Sequence, residues 1–553
     1  MPRDAHGDFP PVAAHAETSY HSAGSALTFS TPASCLHPSP AAKAHPAPRR
    51  PIGGTVPLHP LDNLRDKVRS LHERHERKRS VTLFGNPHAS TAAQAGKAAD
   101  GPSKHEPGPI ARLVDAWWTR LIAAVYDGGL ASQEAEYGSG ETARDYLWNT
   151  VGTGAWGMVF PVLTVVATQL AGIKQAGMFS MAFAAGTLLM FLSNFGVRTY
   201  QVSDIDEKCS FASYQAQRWL TSLLALAAGL LYCTVRGYDA TMLMLSIGIY
   251  IYKIVDGLAD VYEGRLQQAD KLYLAGISQA LRSVSVIIAF SVLLFITRSI
   301  ALAGAAAGLA AVATLILVTI PLALLETEAS RRMSPLEIGG LFRHCLPLFS
   351  ALFMFNLIES VPKFAMEGML PYDSQLYFNA LFFPAQGILL AAGFLYKPQL
   401  LRLANIWSNP RRRRKFDLIV LAMIAVIALM TTGTLVFMGW LGIPIMSFMY
   451  GVDFEAYRQV AYLMIVAGGV SAAIDFLYAI ITVLRRQSSA TKPYAITFAF
   501  SLVVPTALIW LMGLTGAVAG YLASMVMLLV LLSIEYHRIR QDLSEKNRSP
   551  FHA

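Results

Sequence analysis

From about residue 145 to residue 537 the chain alternates apolar stretches of helical length with short polar loops. Each stretch is long enough to cross a hydrocarbon core of about 30 Å, which takes about 20 helical residues, and helices satisfy their own backbone groups there. The pattern predicts twelve spans, at 145–170, 176–200, 214–235, 241–264, 272–297, 299–324, 344–366, 374–396, 416–440, 457–482, 493–512 and 514–536. The expected fold class is therefore an all-α membrane protein of twelve transmembrane helices.

The first 140 residues are a different material, rich in Ala, Pro, His, Ser and Gly, with no apolar run long enough for a span or a signal peptide. They are expected to form a disordered cytoplasmic tail. One amphipathic stripe stands out in it, Ile110, Leu113, Val114, Trp117, Leu121, Ile122 and Val125. It predicts a helix near 110–126 that lies at the membrane interface or docks on the protein's own cytoplasmic face. A short segment, 541–553, forms the expected C-terminal tail.

Loop charge orients the spans. Loops after even-numbered spans and their edges carry Lys208, Arg218, Arg265, Lys271, Arg331, Arg332, Arg402, the run Arg411 to Lys415, Arg485, Arg486 and Lys492. Odd-numbered loops offer only Lys174, Arg236, Arg298 and Arg458. The positive-inside rule then places both termini in the cytoplasm.

Composition changes little in this picture. The chain is 54% hydrophobic and 15% charged, with a mean hydropathy of +0.42. Its net charge of +9 sits in the tail and at helix ends, so it is no nucleic-acid footprint. The four cysteines and 13 histidines form no disulfide framework or metal-ligand spacing. No P-loop, GxSxG or exposed carboxylate pair is present, so neither an enzyme nor a cofactor is expected.

Internal repetition divides the spans. Ala184, Gly186, Leu188 and Leu189 in span 2 recur in span 8 as Ala385, Gly387, Leu389 and Leu390, and the same offset carries Pro161 onto Pro362. Ala269, Lys271 and Tyr273 recur as Ala490, Lys492 and Tyr494, and Gly304 to Gly308 recurs as Gly516 to Gly520. Four matches in order predict two six-helix halves, at 141–325 and 326–540, as a 6+6 parallel repeat around a central cavity. The Gly pairs read as close helix packing. The prolines read as fixed kinks or moving hinges.

With Gly152, Gly154 and Gly157 in span 1, AGMFSMAFAAG opening span 2, Gly196-Val197-Arg198 closing it and QQADKLYLAGISQALR leading into span 5, the chain resembles the multidrug/oligosaccharidyl-lipid/polysaccharide exporter superfamily. Within it the resemblance points to the bacterial polysaccharide (Wzx-type) flippases, over roughly residues 141–540. It implies a V-shaped pair of bundles in the bacterial cell membrane. These would flip undecaprenyl-diphosphate-linked sugar repeat units from the inner to the outer leaflet by alternating access. Membrane lipids, a polysaccharide polymerase and glycosyltransferases are the implied partners.

Charges inside the membrane cost about 2.5–3.5 kcal/mol each at mid-helix and are rarely idle. Counted at 1.5 Å per residue from Arg265 and Lys271, Lys253 and Arg282 each lie roughly 16–18 Å from the cytoplasmic face. They are candidate ligands for a diphosphate, with Lys363, Asn149 and Asn379. Asp256, one turn from Lys253, has two readings: it neutralises that lysine, which leaves Arg282 alone for substrate, or it serves ion coupling with Glu359 and Asp475. Glu359 and Lys363 are also placed to pair with each other. Asn194, Asn356, Gln279 and Gln386 complete the candidate cavity lining. A multidrug antiporter, a lipid II flippase and a non-transporting scaffold are the competing functions; the first calls for an acidic cavity.

Overall fold

The computed structural model describes residues 140–546 apart from 205–206, 398–399, 409–412 and 485. The expected tail before residue 140, its helix near 110–126 and residues 547–553 lie outside the described residues. Apart from one isolated bridge between Glu367 and Leu370, the regular structure of the described residues is helical.

The spans are α1 (Gly140–Ala171), α2 (Ile173–Ser203), α3 (Phe211–Arg236), α4 (Ala240–Gln268), α5 (Leu272–Thr297) and α6 (Ile300–Glu326), then α7 (Pro335–Met366), α8 (Tyr372–Tyr396), α9 (Lys415–Tyr450) and α10 (Arg458–Val483). The last helical stretch, Thr491–Lys546, is interrupted at Gly513, with φ 59° and ψ −131°. A Cβ on Gly516 would meet Leu508, and one on Gly520 would meet Pro505. The chain therefore reverses at Gly513, and the stretch is a hairpin of α11 (491–512) and α12 (514–546). Twelve spans result among the described residues.

Local chemistry marks several starts. Ser210, Asp239 and Ser299 accept hydrogen bonds from the backbone N–H groups of Ser213, Met242 and Leu302, capping α3, α4 and α6. Pro335 opens α7, where hydropathy placed the start near 344; a proline in the first turn has no backbone donor to waste. Residues 335–343 are too polar for an apolar window to detect, and the helix includes them. At the other end α12 continues to Lys546, into the segment expected as tail.

The packing has the period of the sequence repeat. In the first half α1 lies along α5, α2 along α4 and α4 along α6; in the second, α7 lies along the α11–α12 hairpin, α8 along α10 and α10 along that hairpin. Between the halves α2 packs on α7 and α8, and α3 on α7. Glycines permit the tightest crossings: a Cβ on Gly152 would overlap the Gly276 backbone, and one on Gly248 would overlap Gly304. The matched glycine motifs serve different neighbours, since Gly304 and Gly308 face α4 whereas Gly516 and Gly520 face α11.

Both α1 and α7 stay helical through Pro161 and Pro362. The breaks lie elsewhere. Phe195 and Gly196 take φ of 45° and 66° and divide α2. Wider π-type turns interrupt α6 at Leu315–Thr319 and α9 at Met438–Gly442.

Candidate functional site

Midway along the bundle, α1, α2 and α4 of the first half and α7 and α8 of the second enclose a cavity with about 100 Å³ of water-accessible space. Its wall is largely aromatic, with Trp156, Phe160, Phe183, Phe382 and Phe383. Polar groups reach it from both halves: Lys253 from the first, and Asn356, Glu359, Lys363, Asn379 and Gln386 from the second. Two ammonium groups thus share the cavity with one carboxylate.

Lys253 is seated among rings. Its Nζ lies 4.2 Å from the centre of Phe183, 4.7 Å from Tyr252 and 4.8 Å from Trp156. Asp256 Oδ2 is 3.5 Å away, a loose ion pair. Lys363 Nζ stands 4.3 Å over Phe382. Ring faces stabilise a desolvated cation by up to about 2 kcal/mol each while offering no acceptor lone pair. An arrangement of this kind holds an ammonium in place, and beside the loose pair with Asp256 it leaves donors of Lys253 for an anion. Glu359 accepts from the Tyr521 hydroxyl at 3.2 Å. No ion pair forms between Glu359 and Lys363 within 4.0 Å among the described residues.

Arg282 does not line the cavity. It is 1% exposed, with Nε donating to Asp256 Oδ1 and Nη1 to Glu263 Oε1, both at 2.8 Å. Asp256 is in turn held by Trp156, whose Nε1 donates to Oδ2 at 2.9 Å. The two cations expected at one depth therefore meet across a shared carboxylate, and the arginine is enclosed by acids behind the lysine. Asn149, buried near the start of α1, is likewise away from the cavity wall, as are Asp256 and Asp475. Asp475, on α10, accepts from the Tyr396 hydroxyl. Lys363, Asn379 and Glu359 are on the wall; so are Asn356 and Gln386, whereas Asn194 and Gln279 are not.

The charge network extends beyond what the sequence reading assembled. Asp260 accepts from Arg198 Nη1 at 2.8 Å and from Arg218 Nη2 at 2.9 Å, and Arg218 also donates to Asn194 at 3.0 Å. Arg218, counted above among loop charges, is 0% exposed inside the bundle. The signal was present in α4, where Asp256, Asp260 and Glu263 recur at helical spacing on one face and demand cations from their neighbours. Trp156 offered a signal too: it lies in mid-span, whereas membrane tryptophans gather at headgroup depth.

No protein-family model matches the chain, and no curated protein matches it in sequence. Solved structures do match in fold. The lipid II flippase MurJ in an inward closed conformation aligns with a TM-score of 0.54 at 12% identity, covering 72% of this chain and 87% of that one. A multidrug resistance MATE family transporter of the MOP superfamily aligns in its inward-facing conformation with a TM-score of 0.50 at 12% identity, covering 69% and 94%. In an outward-facing conformation such a transporter aligns with a TM-score of 0.50 at 14% identity, covering 73% and 97%. The chain thus shares its fold with these membrane transporters and this flippase.

Proposed function

We propose that this protein is a flippase for an anionic lipid-linked oligosaccharide, of the undecaprenyl-diphosphate type, working by alternating access without nucleotide hydrolysis. One observation carries the reading: Lys253 and Lys363 enter a single cavity from opposite halves, with Glu359 as the sole carboxylate on its wall among the described residues. A diphosphate between them neutralises both ammonium groups and draws the halves together, while ring faces and amides suit sugars. About 100 Å³ is too little for such a head, so the halves must part to admit it. The loop charges favour both termini inside; a bacterial cytoplasmic membrane, with a consuming polymerase and supplying glycosyltransferases as partners, goes with the flippase reading itself. Glu359, with Asp475 and Asp256 behind the wall, supplies carboxylates for ion coupling.

Export of organic cations is disfavoured by the same two lysines. A lipid II cargo has the same sign of charge, and its MurJ-like fold keeps it as the second reading. The deciding experiment is flipping in proteoliposomes of a labelled lipid-diphosphate oligosaccharide, lipid II and a neutral glycolipid of equal chain length. Flipping of the oligosaccharide, lost in Lys253→Gln and Lys363→Gln at parent abundance, is expected. Equal rates for the neutral lipid, or full activity of the double variant, would overturn the proposal.

A further inference from the structure

One turn beyond the cavity, at the end of α7, a carboxylate ties the two halves together. Glu367 is 6% exposed and accepts from the hydroxyls of Tyr232 and, at 2.5 Å, Tyr238. Arg236 Nε stands 3.2 Å from its Oε2 and Arg236 Nη2 donates to its backbone carbonyl at 2.6 Å. All three partners belong to the first half, at the end of α3 and in the loop before α4. Just upstream, Phe364 packs edge-on against Tyr232 at 5.4 Å and joins the buried cluster of Ala185, Cys233 and Tyr250 in that half. Gly368, at φ 86°, lies against Arg236.

The bonds are charge-assisted and the carboxylate that receives them is desolvated, the regime in which a hydrogen bond contributes most. They are also all-or-none. If the halves separate here, Phe364 leaves an apolar socket and Glu367 exchanges three protein donors for water. Lys363, which lines the cavity, precedes Glu367 by four residues, and its carbonyl accepts the Glu367 N–H at 3.3 Å. A displacement of Lys363 is therefore transmitted along a single helical turn of about 6 Å.

We propose that Glu367, gripped by Arg236, Tyr232 and Tyr238, is a latch between the halves that closes the cavity toward the α3–α4 and α7–α8 loops, and that cargo moving Lys363 releases it. The release step rests on the cargo reading above; the closure does not.

The test is accessibility without cargo. In the full chain with Cys35, Cys209, Cys233 and Cys345 replaced by Ala, a reporter Phe383→Cys is exposed to a membrane-impermeant maleimide from the side of those loops. Adding Glu367→Gln raises its labelling rate about tenfold, the shift expected when a hydrogen bond to a buried charged group is lost, and Tyr238→Phe raises it less. A flexible, reductant-cleavable thiol cross-linker joining Tyr238→Cys to Glu367→Cys, positions that meet through the tips of two long side chains and so need a spacer, holds the reporter protected until reductant is added. Unchanged labelling in Glu367→Gln at parent abundance overturns the latch, as does ready labelling of the cross-linked chain. If Glu367→Gln fails to accumulate, Tyr238→Phe and the cross-link decide. Altered labelling with no transport of the lipid-linked oligosaccharide leaves the latch standing and removes the cargo reading.

Discussion

The Nε of Arg282 on α5 lies 2.8 Å from Oδ1 of Asp256 on α4, and the other oxygen of that carboxylate is shared by Trp156 and Lys253. One acid thus anchors three helices and backs the lysine that faces the cavity. It also separates two positions: the arginine holds the carboxylate, and the lysine lines the cavity.

Arg282→Ala is therefore expected to reduce the amount of folded protein rather than to abolish transport in an intact one. It strands Asp256 and Glu263 in the bundle, and removing one partner of a buried pair typically costs about 3–5 kcal/mol. Combining it with Glu263→Gln and Asp256→Asn should recover part of the loss, because no uncompensated carboxylate remains. Thermal unfolding of the purified protein and membrane abundance measure both, and an Arg282→Ala chain of parent stability would refute the assignment.

A second comparison separates buried from surface charge. Asp260 binds Arg198 and Arg218 inside the bundle, whereas Glu455 meets Arg458 with both side chains over a third exposed. Asp260→Ala should lower the unfolding temperature sharply and Glu455→Ala should leave it unchanged, since solvent screens the second pair. Equal effects would contradict the network.

Close packing of α1 on α5 gives the third. A side chain at Gly152 runs into the backbone of Gly276, so Gly152→Leu should destabilise by about 1–3 kcal/mol or more through forced separation of the helices. The same change at Gly154, where nothing lies within 4 Å, should be tolerated. Chemical denaturation in detergent gives both values.

Orientation provides the fourth. Single cysteines near Asp239, Asp373 and Asp453 should react with an impermeant reagent added outside the cell, and those near Lys208 and Ser334 should not. The reverse pattern would invert the topology and place the Glu367 latch on the inner face.

The sequence by itself determined the number of spans, the two-half repeat and the presence of charges at depth. Hydropathy, repeat spacing and rise per residue are one-dimensional properties, so the twelve helices and the level of Lys253 and Arg282 could be read along the chain. Tertiary structure alone decided which side of a helix each charge faces and what meets it there. Lys253 and Arg282 lie at the same depth, yet one faces a cavity and the other a pair of carboxylates, because α5 is rotated to bring Arg282 against Asp256 and Glu263. Arg218 looked like a loop anchor because it lies near the start of its span, and only the packing of α3 on α4 gave it Asp260. The latch was invisible for the same reason: Glu367 and Arg236 are 131 residues apart. A buried charge is stable only with partners, and partners from distant helices are chosen by packing rather than by spacing along the chain.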